Sequence, residues 1–378
     1  MSPLLRRRRA AGSLHLPAPY ELLDVLREGP APLRGGADPD APQLRVALVV
    51  PPFRRGSGGH STIANLVRGL EARGHQVAIA VHDDEGRHAG DDVGELFREF
   101  FGSVRARVAA EPPPEADVVV ATGWQTVPVA LRSSARARAY LVQDHEPEFY
   151  GTSAERLWAQ WSYGQGLHCV CASPWLAEVV AGHYGASASA FDLGVDHDRY
   201  RPLPTHRRDD LVLVYARAVT PRRAVPLALL AMAELHRRRP DLEIALFGEA
   251  RALPTPFPHR HLGVLEPGEL AHAYASAAVG VVLSLTNPSL VPTEMLACGL
   301  PVVDVRSEAM LATFGEDGPI ALAPPDPLTL CSTVERLVGD LVERADRSRA
   351  GTELVAGRTW ERAAEQVEAG LREALRRA

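Results

Sequence analysis

Leu44-Arg-Val-Ala-Leu-Val-Val50, ended by Pro51-Pro52 and followed by Gly56-Ser57-Gly58-Gly59, is the stretch on which the fold assignment turns. A near-continuous apolar run of this length, closed by prolines, is the pattern of a strand buried on both faces. The glycine-rich turn leads into a helical pattern over residues 60–73, stopped by Gly74, and residues 77–81 read as the next strand. This is a βαβ opening, and the alternation continues. Residues 118–122, 139–143 and 168–172 are further apolar strands, each followed by a helix or loop. Repeated units of this kind imply a parallel sheet covered by helices on both faces.

The rhythm pauses over residues 194–208, a stretch with Pro202 and Pro204 that reads as a linker, and then restarts. Residues 211–215 form a strand, 221–239 a helix, 243–247 a strand ended by Gly248, 279–284 a strand, 291–298 a helix and 302–305 a strand. Residues 360–376 are helical by periodicity, with apolar or small residues at Ala363, Ala364, Val367, Leu371 and Leu375. The expected fold class is α/β, with two doubly wound Rossmann-like domains facing a central cleft. The expected divisions are an irregular arm over 1–43 with a short helix near 20–27, a first domain over 44–205, a second over 206–355, and a helix over 356–378 crossing back to the first. A chain of 378 residues suits two domains, and ligands of open α/β sheets bind outside the carboxyl ends of the strands.

No lysine occurs anywhere, so all 41 basic residues are arginine. This excludes a lysine Schiff base and the lysine-dependent phosphate loop, and any anion site must be built from arginine or backbone. A net charge of −6 argues against a general nucleic-acid binder. Cys169, Cys171, Cys298 and Cys331 lack zinc-type pairing and fit a reducing compartment. Arg6 to Arg9 are followed by no apolar stretch of the secretory kind; they read as a solvated tail, with contact to anionic lipid headgroups as the alternative. The expected location is cytoplasmic, at most peripheral at the inner membrane face.

Three groups of residues carry chemistry. Gly58 and Gly59 stand in the turn before a helix, where free N–H groups can approach an anion, with a plain strand-to-helix turn as the alternative; the spacing of the dinucleotide fingerprint is not met. Arg217, Arg222 and Arg223 follow the first strand of the second half, a natural diphosphate clamp at a strand end. The string Thr286-Asn-Pro-Ser-Leu-Val-Pro-Thr-Glu294 puts Ser289 and Leu290 at a helix start, where N–H groups bind phosphate, and Glu294 one turn or so further on, where a carboxylate can take paired ribose hydroxyls. Asp38-Pro39-Asp40 has the letters of a metal site but lies in the arm, and no metal-binding Asp-x-Asp stands at a strand end.

On these residues the chain resembles family 4 glycosyltransferases of the GT-B fold, over roughly residues 44–378. Glu294-Met-Leu-Ala-Cys-Gly-Leu-Pro-Val-Val303 is similar to the second half of the family's E-x7-E motif. Tyr215-Ala-Arg-Ala-Val-Thr-Pro-Arg-Arg223 resembles its strand-end G-R with a basic residue six positions later. Leu262-Gly-Val264-Leu, with Glu269 and Tyr274, resembles the stretch near the donor base. The first glutamate of the motif falls at Thr286, and Gln143 stands where a histidine is often found. Tyr140-Leu-Val-Gln-Asp-His-Glu-Pro-Glu-Phe-Tyr150 looks more like the bacterial polysaccharide rhamnosyltransferase branch.

The resemblance implies retaining, metal-independent transfer of a sugar, such as rhamnose from dTDP-L-rhamnose, from a nucleotide-diphosphate donor. The acceptor would be a glycan, lipid-linked or small-molecule hydroxyl, and no cofactor or metal is called for. Arg217 and Arg223 would clamp the diphosphate, Glu294 the ribose, and Thr286 would face the sugar. Asp144, His145 and Glu146 are candidates to orient or deprotonate the acceptor hydroxyl, and Trp124, Trp158 and Trp161 are either sugar platforms or core. Two other readings remain open: a non-catalytic sugar-nucleotide binder, and an epimerase of the same fold.

Overall fold

The computed structural model describes residues 21–378 apart from residues 85 and 114; the arginines at positions 6–9, read as a tail or a lipid contact, lie outside the described residues. Seven strands form the first sheet: β1 (Arg45–Val50), β2 (Gln76–Val81), β3 (Arg107–Ala109), β4 (Val118–Ala121), β5 (Ala137–Val142), β6 (His168–Cys171) and β7 (Ala188–Ala190). Six form the second: β8 (Leu211–Tyr215), β9 (Glu243–Phe247), β10 (Arg260–Gly263), β11 (Val279–Val281), β12 (Val302–Val305) and β13 (Ile320–Ala323). All the pairings are parallel. The orders are β3-β2-β1-β4-β5-β6-β7 and β10-β9-β8-β11-β12-β13. Each sheet therefore reverses its winding beside its first strand, between β1 and β4 and between β8 and β11, and such a reversal opens a crevice at the strands' carboxyl ends.

The apolar runs form central strands because both faces are covered: Val46 to Val50 are at most 3% exposed. The strands β3, β7, β10 and β13 went unread in the sequence. They have three or four residues each and lie toward the sheet edges, and β3, β7 and β10 are only half-covered. The helix expected over 221–239 is interrupted. Pro221–Arg223 is a single tight turn, Ala224 takes a left-handed conformation (φ 41°), and the α-helix runs Val225–Arg238. An uninterrupted helix would need an N–H on Pro226 to bond the Arg222 carbonyl, which proline lacks, so the break falls just upstream; that carbonyl accepts from Leu285 N instead. The break turns Arg222 and Arg223 out of the helix and toward the strand ends. The arm is docked over its described part: helix Glu21–Glu28 buries Leu22 and Val25, and Arg138 Nη2 donates to the Ala31 carbonyl at 2.6 Å.

The chain returns to the first domain at residues 355–360, where Val195 N donates to the Arg358 carbonyl at 2.9 Å and Val195 pairs with Thr359. Helix Trp360–Arg377 then lies across helix Gly58–Ala72 and strands β5, β6 and β7. Ala363, Val367, Leu371, Ala374 and Leu375 join the core of the first domain, where burying a Val or Leu side chain is worth about 1.5–3 kcal/mol. The approach leaves no clearance: a Cβ on Gly69 would collide with Ala364, and one on Gly370 would lie 2.7 Å from Val170. Against the upward push of its burial, Arg73 and Arg372 hold the Glu368 carboxyl down to about 2, which ties the polar side of this helix to the first domain.

Replacing Gly69 with valine should separate the two helices and destabilise the protein by about 1–3 kcal/mol, the usual cost of overpacking. Urea unfolding measures it; a midpoint equal to that of the wild type would show that the helices do not meet here.

Candidate functional site

The carboxyl ends of the two sheets face each other across a cavity of about 400 Å³. Its lining from the first domain includes Arg54, Ser57, Gly58, Gly59, Gln143, Asp144, Glu146, Phe149 and Tyr150. The second domain contributes Tyr215, Arg217, Arg222, Arg223, Ser289 and Leu290. Two helix starts open on this space, Gly58–Ala72 from one side and Leu290–Ala297 from the other. Neither N-cap serine caps its helix with its side chain, and neither first turn carries an acid. The first N–H groups of both helices are thus left for an anion. Ser57 Oγ is instead 2.8 Å from His60 Nδ1, and His60 Nε2 is 3.1 Å from the Pro51 carbonyl. Burial pushes His60 down to about 4, so the ring is neutral. With Nε2–H donating to the carbonyl, Nδ1 is left to accept from Ser57.

The three arginines all reach across or under the cavity. Arg217 Nη1 donates to the Gly56 carbonyl at 2.8 Å. The Arg222 guanidinium lies 3.9 Å from the centre of the Phe149 ring and 2.9 Å from Asp144 Oδ2. Arg223 is 5% exposed and donates to Ser284 Oγ at 3.2 Å. Beneath it lies Asp304, which burial pushes up to about 7 although the N–H groups of Ser284 and Val305 both donate to it at 2.7 Å. The charge at this wall is arginine and helix N-terminus, opposed by Asp144 and Glu146.

The acidic loop after β5 divides into three fates. Asp144 is buried, and its oxygens accept from the N–H groups of His145 and Asn287 and from Thr286 Oγ1, in addition to the Arg222 ion pair. It thus joins the two domains at the cavity wall. His145 turns away from the cavity, stacks on Tyr163 and meets Tyr184 Oη through Nε2 at 2.9 Å; this corrects the expectation that it faces an acceptor. Glu146 does line the cavity. Its Oε1 accepts from Tyr140 Oη at 2.6 Å and its Oε2 from Trp124 N at 2.8 Å. Burial pushes its carboxyl up to about 7, with those donors opposing.

Other expected residues are placed differently. Thr286 is 4% exposed and spends its hydroxyl on Asp144, so its expected role of facing a donor sugar is corrected. Val264 is exposed beside Gly56 and outside the cavity lining. Glu294 is half-buried near Arg199 and Tyr274, where burial pushes it up to about 7. It too lies outside the lining. Gly58 and Gly59 line the cavity, and a Cβ on Gly59 would come within 3.5 Å of the Gln143 carboxamide. Trp124 is 6% exposed and donates to Tyr150 Oη at 2.9 Å, a core and framework role. Asn287 and Phe149 were not singled out in the sequence, where each stands only inside a longer string. Among the described residues no three His, Cys, Asp or Glu are grouped to hold a metal ion, and no helix is long and apolar enough to cross a membrane.

Two facing Rossmann-like domains, with the last helix returned to the first, make this a GT-B fold. The solved structure of the Anabaena protein HepE in complex with UDP-glucose is similar, with a TM-score of 0.66, 14% identity, and coverage of 88% of this chain and 99% of that one. Residues 210–327 match the family described as WsaF, C-terminal domain. The O-antigen biosynthesis protein RfbC of Myxococcus xanthus is 29% identical over 343 residues, 85% of this chain and 26% of that protein. A GDP-mannose-dependent alpha-(1-6)-phosphatidylinositol monomannoside mannosyltransferase of Mycolicibacterium smegmatis is 32% identical over 211 residues, 48% of this chain and 53% of that protein. The chain thus spans about a quarter and about half of the lengths of these two relatives.

Glu146, Glu294 and Asp304 are each raised to about 7. A carboxyl whose folded value lies above its unfolded one stabilises the fold fully below the unfolded value and stops doing so as pH rises through the folded one. Each of these carboxyls should therefore take stability away between about pH 4.5 and pH 8, while the lowered His60 acts the other way; relative to wild type, Glu146→Gln should keep more of its melting temperature as pH rises through that range. Calorimetry at stepped pH tests this; an unchanged slope in the variant would remove Glu146 from the set.

Proposed function

We propose that this chain is a glycosyltransferase that moves a sugar from a nucleotide-diphosphate donor to a hydroxyl acceptor, with retention and without a metal. The observation that carries the reading is the convergence of Arg217, Arg222, Arg223 and two uncapped helix starts on one cavity. The barrier in such a transfer is the separation of a sugar cation from a leaving diphosphate, and preorganised donors aimed at the growing charge lower it. Here guanidinium groups and helix N–H groups supply the positive charge that a divalent cation supplies elsewhere.

In this reading Arg217 and Arg223 hold the diphosphate, with Ser289 and Leu290 at its other side. Glu294 takes the ribose hydroxyls, and Val264 flanks the base at the mouth. Glu146, with Phe149 and Tyr150 beside it, orients the acceptor hydroxyl. Glu146 sits near neutrality, where it exchanges a proton readily. A deoxyhexose such as rhamnose is the proposed donor sugar, supported by residues 140–150 alone, because Thr286 no longer argues for it. The relatives named for O-antigen synthesis and mannosyl transfer support a glycan or lipid-linked acceptor. The cytoplasm, at most peripherally at the inner membrane face, is the proposed place of work.

The test is a panel of dTDP-L-rhamnose, GDP-mannose and UDP-glucose, read first by thermal shift and then by donor consumption with and without a glycan acceptor. Acceptor-dependent consumption with the anomeric configuration retained by proton NMR supports the proposal. Consumption without acceptor supports an epimerase, and binding without consumption a binder. Arg217→Ala and Arg223→Ala should each cost about 2–5 kcal/mol of donor affinity. Glu294→Gln should lower the affinity for free nucleoside diphosphate about tenfold, a loss of roughly 1.4 kcal/mol. Wild-type affinity in all three by calorimetry would overturn the donor site.

A further inference from the structure

Asn287 belongs to the second domain by sequence, yet every partner of its side chain lies in the first. It is 1% exposed. Its Nδ2 donates to the carbonyls of Gln143 at 3.1 Å and Ala172 at 3.3 Å, and its Oδ1 accepts from Ser173 Oγ at 2.7 Å. Gln143 directly follows β5 and Ala172 directly follows β6, so the carboxamide plugs the ends of two adjacent strands. Its own N–H donates to Asp144 Oδ1 at 3.1 Å, beside the Thr286 and Arg222 contacts to the same carboxylate.

Few side chains can make this set of contacts. Two donors and one acceptor on a short planar group are needed at once, and only a carboxamide provides them. Aspartate would set a second carboxylate against two carbonyls and Asp144; serine or alanine would leave buried carbonyls without a donor. Pro288 follows, which disfavours helical geometry at Asn287, and Ser289 is already the N-cap of the helix whose start faces the cavity. Two residues therefore separate a plug fixed in the first domain from the helix start that would meet the diphosphate. On the other side, Gln143 stands three residues before Glu146. Asn287 itself is outside the cavity lining.

We propose that Asn287 is a positioning residue: by anchoring in the first domain it sets the distance between the Leu290–Ala297 helix start and the Gln143–Glu146 loop. Its carboxamide thereby fixes the geometry in which donor and acceptor meet. The effect on turnover rests on the transferase reading above; the effect on domain spacing does not. A residue of this kind acts on the rate once both substrates are bound, because a small misplacement of reacting groups is costly while each half-site is intact.

The experiment compares wild type with Asn287→Ala, and with Asn287→Ser as the milder change if alanine does not fold. Spin labels at Ala154→Cys and Leu328→Cys, both exposed and one in each domain, report the interdomain distance without nucleotide; the native cysteines are all buried. The distance distribution should be narrow in wild type and broader or shifted in the variant. In turnover, kcat should fall at least tenfold, with the Kd for nucleoside diphosphate within about threefold of wild type. An unchanged distance distribution overturns the proposal, as does a loss of nucleotide affinity as large as the loss of kcat. If the wild-type chain transfers no sugar from any donor, the transferase reading fails and the distance measurement alone decides the role of Asn287.

Discussion

The Asp144 carboxylate sits where the two domains meet, and its contacts hold the cleft at its width. A buried anion is costly to desolvate, and it is stabilised here only because both domains contribute donors to it: His145 N–H from its own loop, then Thr286, Asn287 N–H and Arg222 from the other side. Removing one partner of such a buried set usually costs 3–5 kcal/mol, because the remaining charge is left unpaired. With its oxygens committed in this way, Asp144 serves as the keystone of the interface. Glu146, two residues on, is the carboxyl that burial raises at the cavity wall, where Tyr140 and Trp124 hold it.

The absence of lysine shapes how the positive wall is made. A guanidinium is planar and weakly hydrated, so it can stack and pair at the same time. Arg222 does both, lying on Phe149 while pairing with Asp144. Arg223, nearly buried, rests over Asp304 and Ser284 and needs no solvent. An ammonium group in either place would lose most of its hydration without gaining a flat partner. The break at Ala224 that frees these two arginines comes from the prolines around it, so backbone stiffness and side-chain chemistry act together.

Much of the fold was legible because parallel strands buried on both faces read as unbroken apolar runs, and β1, β2, β4, β5, β6, β8 and β9 all do. The short strands toward the edges carry too few residues for a period to show. At the site, the arginines and the two helix starts were visible as local patterns, since each lies just beyond a strand. Thr286 and His145 were misplaced for one reason: the orientation of each is set by a partner far away in sequence or on another element, Asp144 in one case and Tyr163 and Tyr184 in the other. Asn287 was hidden for the same reason, since its partners are 114 to 144 residues away.

The helix Trp360–Arg377 has a consequence for how the chain is made. The core of the first domain includes Ala363, Val367, Leu371 and Leu375, yet about 170 residues separate that helix from the last strand of the first sheet. At ~5–20 residues per second of synthesis, the first domain waits roughly 10–35 s with one face of helix Gly58–Ala72 uncovered. During that interval the second domain has time to form its own sheet, so the nascent protein passes through a stage with one finished half and one half still exposing apolar surface. The zero-clearance contact at Gly69 and Ala364 is then the last packing event, and a chaperone that shields apolar surface would have this face to hold until it occurs.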